Sequence, residues 1–217
     1  MRLHHDPTGQ SARWSPHRIG AFTDAVLAIA TTLLVVEIKR PQDEDLVDAG
    51  ALAAFLWHER ASFVAFLLAF FLLWAVWHRH HMLIEEVALL DRRTLAWHAP
   101  LLLLVAILPY STAVFGHAPD NKLAVCLFAV TSALLFACEG VVRDLAARGS
   151  TLAEHIAAAD LRTSANASYA VAAVFFATAA LAWLTPYVWY AWLLAPLSAT
   201  FGGRLIDRCA RAYHQRN

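Results

Sequence analysis

The sequence predicts an all-α integral membrane protein with six transmembrane helices. Hydrophobic residues make up 59% of the 217 residues, charged residues make up 16%, and the mean hydropathy is +0.51. Because ordinary soluble domains carry about 25% charged residues, this composition argues against a soluble protein. The chain also contains eight Trp residues, and indole rings settle preferentially at bilayer interfaces.

Six apolar stretches are the candidate membrane spans. Each is expected to be a helix, because a helix satisfies its backbone hydrogen bonds internally in lipid. Lys39, Arg40 and Pro41 end the first span with charge and a helix breaker. In chain order, the stretches are Arg18 to Ile38, Ala61 to Trp77, Pro100 to Phe115, Leu123 to Cys138, Ala167 to Leu184 and Tyr187 to Phe201.

The distribution of Lys and Arg predicts that both termini lie in the cytoplasm. Six spans put both termini on one side, where we assign thirteen basic residues, against four on the opposite side. We therefore expect a multi-pass protein of the plasma membrane, with a cytoplasmic segment 1–17, a membrane domain 18–205 and a cytoplasmic tail 206–217. The polar stretch 143–166 is expected to be a short cytoplasmic connection, either irregular or helical. The acidic stretch 43–48 is expected to be an outer loop that either attracts cations or is simply solvated.

Charge and cysteine content exclude several other classes of protein. The 17 basic residues equal the 17 acidic residues in number, so no basic surface favours binding to nucleic acid. The three cysteines, Cys126, Cys138 and Cys209, have neither CxxC spacing nor an even number, which argues against structural zinc and a disulfide framework.

The first span is unusual because it carries ionisable residues, which are costly in a membrane and usually mark function. Asp24 lies about 120° around the helix from Arg18, so its partner is expected on another helix. The second span ends in the sequence Trp77 to His81, on the same side of the membrane. Trp77, His78 and His81 are the candidate interhelical partners, and we expect His78 or His81 to pair with Asp24.

An apolar stripe runs along the same helix. Ile29, Leu33 and Val36 follow i, i+4, i+7 spacing and lie within an arc of about 60°, which Phe22 extends. Asp24 lies about 140° from Ile29 and would brace the helix from behind. From spacing alone, ordinary helix packing is the more usual interpretation of such a stripe, and the spacing by itself does not identify a pore.

These residues resemble the transmembrane protein 175 family of potassium channels. Arg18, Phe22, Thr23 and Asp24, in RIGAFTDAVLAIATTLLVVEI, are similar to the family's RxxxFSD motif at the start of the first helix. WHRHH at Trp77 to His81 resembles the end of the family's second helix. Thr23 stands where the family usually has Ser, and we expect its hydroxyl to keep the hydrogen bond of that position.

The resemblance implies a homotetrameric channel in the lipid bilayer, with the first helix of each subunit lining a central pore. It implies that Ile29 forms the narrowest ring, that Leu33 and Val36 form further apolar layers, and that potassium ions are the permeant partner. The family's motif residues, here Arg18, Thr23 and Asp24, tie the first helix to its neighbours. No cofactor and no enzymatic activity are implied.

The sequence contains no TVGYG filter loop. An apolar ring is compatible with this absence, because such a ring can gate a pore by dewetting. Its selectivity for potassium over sodium is expected to be modest. Thr32, beside the stripe, either offers its hydroxyl to a hydrated ion or bonds back to its own helix, as threonines often do.

Two other functions are compatible with parts of the sequence. Eleven histidines, which can titrate near neutral pH, suggest a proton-conducting channel or a proton-coupled transporter. A membrane enzyme with His78, His80 and His81 as metal ligands is disfavoured, because His80 and His81 point to different helix faces and no acidic ligand lies among them.

Overall fold

The computed structural model describes residues 14–194, which form a bundle of long helices. Within this range, five helices are long and apolar enough to cross a membrane. This finding confirms the predicted helical membrane architecture for the first five stretches. The five are α1 (Pro16–Val36), α3 (Arg60–Glu86), α4 (Arg92–His117), α5 (Lys122–Gly149) and α6 (Ala158–Leu181).

The sixth predicted span falls largely beyond this range. Its described part belongs to a 3₁₀ segment, Pro186–Leu194, which follows α6 after a short turn. Residues 195–201 of that span, residues 1–13 of the predicted N-terminal segment and the predicted tail 206–217 lie outside the described residues.

A short helix precedes α3. The hydropathy pattern of the sequence does not distinguish this helix from its surroundings. It is α2 (Ala49–His58), and it follows a 3₁₀ turn at Asp43–Leu46. The acidic residues of this region have local structural roles: Asp48 Oδ1 accepts from Ala51 N at 2.8 Å at the α2 N-terminus, and Asp45 Oδ2 accepts from Gln42 N at 2.9 Å. At least these two carboxylates therefore cap backbone donors, as short polar side chains do at helix starts.

Most of the predicted connection over residues 143–166 is helical, and it continues the two helices that it joins. Helix α5 continues to Gly149, and α6 already begins at Ala158. Arg143, at the start of this stretch, is buried and pairs with Glu139 of α5 and Glu86 of α3.

A small antiparallel ribbon joins three helix ends. Strand β1 (Val87–Leu89) pairs with β2 (Thr151–Leu152), and Leu90 exchanges two backbone hydrogen bonds of 2.8 Å with Trp14. The ribbon thus connects the start of α1, the α3–α4 junction and the α5–α6 junction. We call it the ribbon below.

The core is organised around α5, the most buried of the long helices, which packs against α4 and α6. Helix α1 packs against α3 and α4. Helices α3 and α4 approach each other closely at Gly116 of α4, where an added Cβ would lie 2.9 Å from Cα of Ser62 in α3. Only glycine allows this approach of the two backbones.

Candidate functional site

Helix α1 has two faces of opposite character. One face is buried against α3 and α4 and carries Thr23, Leu27, Ala30 and Leu34. The other face, roughly 120° around the helix, carries the predicted apolar stripe. In the single chain, the side chains of the stripe are exposed: Ile29 by 60%, Leu33 by 43% and Val36 by 57%.

The stripe continues toward the start of the helix on the same exposed side. Phe22 is 60% exposed, and Arg18 is also exposed. Thr32, beside the stripe, bonds to its own helix: its Oγ1 donates to Ile29 O at 2.8 Å. Thr31, on another side of α1, also bonds to its own helix, with its Oγ1 donating to Leu27 O at 2.7 Å. The back-bonded alternative for Thr32 is therefore the one seen in the structure.

The partner of Asp24 is Trp77 on α3. Trp77 Nε1 donates a hydrogen bond to Asp24 Oδ1 at 3.1 Å. His81 stacks on the Trp77 ring, with ring centroids 5.5 Å apart, and its Nε2 lies 3.4 Å from Glu85 Oε1. Trp77, one of the three predicted interhelical partners, therefore makes this contact. The expectation that Asp24 pairs with His78 or His81 is wrong. His81 instead contacts side chains of its own helix.

Thr23 occupies the buried side of the motif. Its side chain is almost fully buried, and within residues 14–194 its Oγ1 has no hydrogen-bond partner. The expectation that this hydroxyl keeps a hydrogen bond to a neighbouring protein group is thus not met by the described residues.

A buried ionic network, which sequence reasoning missed, lies behind α1 between α3, α5 and α6. Arg143 Nε donates to Glu139 Oε1 at 2.6 Å, and both side chains are at most 3% exposed. Arg143 also reaches Glu86 Oε2 at 3.2 Å and donates to the backbone carbonyl of Arg79. The i, i+4 spacing of Glu139 and Arg143 at the end of an apolar stretch was the pattern that could have revealed the pair.

Arg79 completes the network from α3. Its Nε lies 3.2 Å from Glu139 Oε2, and its guanidinium donates to Ser164 O at 2.6 Å and to Ser168 Oγ. Ser168 in turn donates to Glu139 Oε2. Three helices are therefore joined through one carboxylate, an arrangement in which each buried charge has an opposite charge and hydrogen bonds.

Asp91, which lies in the junction outside the spans, caps α4. Its carboxylate accepts hydrogen bonds from Arg93 N at 3.0 Å and Thr94 N at 3.1 Å. Burial acts to raise the pKa of Asp91, but the hydrogen bonds from Thr94, Arg93 and Ser150 outweigh it and lower the pKa from its ordinary value.

The histidines of the α3 end do not form a metal centre. In the part of the chain from Trp14 to Leu194, no group of three or more His, Cys, Asp or Glu side chains could hold a metal ion. His80 instead lies against His98 of α4, with the rings edge to face and their centroids 5.3 Å apart.

The sequence is similar to a known channel family and to its bacterial members. Residues 18–109 match the family described as endosomal/lysosomal potassium channel TMEM175. A potassium channel of Chamaesiphon minutus is 37% identical over 117 residues, which cover 52% of this chain and 56% of that protein. A potassium channel of Streptomyces collinus is 33% identical over 100 residues, 46% of this chain and 47% of that protein.

The chain thus spans about half the length of these bacterial relatives. A vertebrate protein, the endosomal/lysosomal proton channel TMEM175 of Danio rerio, is 25% identical over 123 residues, which cover 55% of this chain and 23% of that protein.

The fold is also similar to a solved structure. The crystal structure of a lysosomal potassium-selective channel TMEM175 homolog from Chamaesiphon minutus superimposes with a TM-score of 0.72 at 26% identity. The match covers 87% of this chain and 97% of the other chain. It therefore extends over most of the bundle and well beyond residues 18–109.

Proposed function

Since this chain is a member of the TMEM175 family, as the matched residues 18–109 and the related fold show, we propose that it forms a potassium-permeable cation channel. The channel is a homotetramer in the lipid bilayer, and α1 of each subunit lines the central pore. It is a leak channel with modest selectivity for potassium over sodium. The family comprises ion channels and not enzymes, in agreement with the sequence analysis.

The observation that supports this function best is the exposed stripe on α1. Helix α1 buries one face against its own subunit, yet Ile29, Leu33 and Val36 point away from that contact. A single chain has one such helix, so an enclosed pathway needs several copies around an axis. In a tetramer, the stripes of four subunits would face one another across the pore.

The proposed constriction is apolar. Ile29 forms its narrowest ring, and Leu33 and Val36 form further layers toward the C-terminal end of α1. Such rings gate by dewetting, and potassium passes them more readily than sodium because it loses its hydration shell at lower cost. The side chain of Thr32, beside these layers, keeps its oxygen lone pairs for a hydrated ion while its proton is bonded to Ile29 O.

The remaining motif residues hold the pore helix in place. The hydrogen bond between Asp24 and Trp77 joins α1 to α3 on the flank away from the stripe. Arg18 and Phe22, exposed in the single chain, lie near the stripe's line at the start of α1. We infer that these two side chains contact neighbouring subunits. By the distribution of Lys and Arg, both termini are cytoplasmic. The membrane we propose is the plasma membrane.

Replacing Ile29 with Asn or Cys tests the constriction. The wild type and variants are reconstituted in bilayers, and reversal potentials are recorded under potassium, sodium and caesium gradients. A polar ring no longer requires ions to cross an apolar layer, so we expect higher conductance and a permeability ratio of potassium to sodium closer to one. Val35→Asn is the matched control, since Val35 is similarly exposed but lies about 120° from Ile29. Unchanged selectivity and conductance in the Ile29 variants would exclude Ile29 as the constriction.

Proton conduction is the second candidate function. It is favoured by the name of the related Danio rerio protein, a proton channel. A proton flux into liposomes measured without potassium separates the two functions: a flux that the Ile29 variants alter would assign protons to the same pore.

A further inference from the structure

Three buried polar atoms meet no protein partner where α1, α3 and α4 converge. They are Thr23 Oγ1, His80 Nε2 and His98 Nε2, and none has a hydrogen-bond partner among residues 14–194. The three side chains are at most 3% exposed. Burying an unpaired polar group costs free energy, so each such atom needs a structural explanation. Three of them in one region indicate a common explanation.

Contacts along α1 and α3 put these atoms at one level of the bundle. The two helices are antiparallel: Asp24 is bonded to Trp77, and a Cβ at Gly20 would lie 3.2 Å from Ile84. Thr23 therefore lies opposite the segment of α3 between Trp77 and Ile84, which contains His80. The His80 ring in turn contacts the His98 ring of α4.

The Thr23 hydroxyl is not hydrogen-bonded to its own helix. Other helical threonines of the described segment, such as Thr112 and Thr131, donate to the carbonyl four residues earlier at 2.8 Å. Thr23 makes no such bond. Its hydroxyl is thus free to serve a group that lies between the helices.

The hydrogen bonds define what that group must offer. His98 Nδ1 lies 2.8 Å from Thr94 O, and a carbonyl only accepts, so Nδ1 carries the proton and Nε2 of the neutral ring is an acceptor. The occupant must therefore donate to His98 while pairing with Thr23 and His80. A cation is disfavoured, because the Arg143 guanidinium donates to the carbonyl of Arg79, the residue next to His80.

We propose that one ordered water molecule occupies this point and links Thr23 Oγ1, His80 Nε2 and His98 Nε2. A water needs two to four polar partners to be stably buried, and this site offers three. It joins α1 to both α3 and α4 by hydrogen bonds that the protein groups do not make directly. Thr23 and His98 are positioning residues for α1, since neither lies on the exposed stripe.

Thr23→Val tests the proposal by the sign of its effect on the melting temperature of the purified full-length protein in detergent. Val has nearly the shape of Thr but no hydroxyl. Loss of a water-mediated bond should lower the melting temperature, and Thr23→Ser should keep the wild-type value. Thr112→Val is the control, since it removes only a bond within α4, and it should have the smaller effect.

A double-mutant cycle then tests whether the three atoms share one occupant. In a His98→Leu background, Thr23→Val should lower the melting temperature by clearly less than in the wild type. If His98→Leu does not yield folded protein, His80→Phe provides the second background.

Three results would overturn the proposal. A higher melting temperature of Thr23→Val would mean that the hydroxyl is buried unpaired in a dry site. An equal loss in both backgrounds would mean that Thr23 and the histidines act separately. A stoichiometric metal ion in the wild type that the His98 or His80 variant loses would identify a metal ligand set instead of a water site.

Discussion

Replacing Glu139 with Gln should lower the free energy of unfolding by about 3–5 kcal/mol, the cost of breaking a buried ion pair on one side. Gln keeps the shape of the side chain and one acceptor oxygen but removes the charge. The variant therefore isolates the electrostatic part of the network that joins α3, α5 and α6.

The magnitude follows from the burial and the contacts of the network. Glu139 and Arg143 are 3% and 2% exposed, and Oε1 of Glu139 lies 2.6 Å from Arg143 Nε. Oε2 of the same carboxylate lies 3.2 Å from Arg79 Nε. Without this charge, Glu86 would be the remaining carboxylate in the network for two guanidinium groups, and Glu86 is 20% exposed. At about 2–4 °C per kcal/mol for a chain of this size, the melting temperature should fall by about 6–20 °C.

Helix α5 provides a matched control for this measurement. Asp144 and Arg148 form another i, i+4 pair with an N–O distance of 2.6 Å, but their side chains are 23% and 65% exposed. Asp144→Asn should cost only about 0–1 kcal/mol, because solvent screens an exposed pair. Thermal unfolding followed by intrinsic fluorescence gives both values. Equal losses in the two variants, or no loss in Glu139→Gln, would refute the reasoning from burial.

Two further predictions concern α1 and α4. Asp24→Ala and Trp77→Phe should each lower the yield of tetramer in size-exclusion chromatography more than they change ion selectivity, because their hydrogen bond lies behind the stripe. Trp74→Phe, at an exposed position of α3, is the control. Lost ion selectivity with intact tetramer assembly would contradict the bracing role of this hydrogen bond. Asp91→Ala should cost about 0.5–2 kcal/mol through loss of the α4 cap. Because hydrogen bonds lower the folded-state pKa of Asp91, its charge-dependent stabilisation is complete above the ordinary value of 3.8 and lost as pH falls through the lower folded pKa. The difference in melting temperature between wild type and Asp91→Ala should therefore shrink below about pH 4, and a constant difference would contradict the assignment.

Features that depend on nearby residues were predicted well from the sequence. The five described spans follow from the length of apolar stretches, and the two faces of α1 follow from the helical period. Ile29 and Leu33 are exposed and Leu27 and Leu34 are buried, although all four are equally apolar. Composition alone could not separate them, but their angular positions on the helix do.

Features that depend on contacts between helices were not predictable in the same way. Trp77, His78 and His81 all lie within about the last three turns of α3. The rotation of α3 against α1 selects Trp77 as the partner of Asp24. The sequence places Arg143 at the start of the cytoplasmic connection 143–166, with no sign that its side chain is buried. Its burial depends on Glu139 and on the carbonyl of Arg79, and the latter contact spans 64 positions of the sequence.

The ribbon has a mechanical consequence for α1. Two hydrogen bonds of 2.8 Å hold Trp14 to Leu90, immediately before Pro16 begins the helix. The N-terminal end of α1 is therefore held to the residue pair just before α4, whereas its C-terminal end leads into the short 3₁₀ turn and α2. Any tilt of α1 about its anchored start would displace Leu33 and Val36, at the opposite end, more than Phe22.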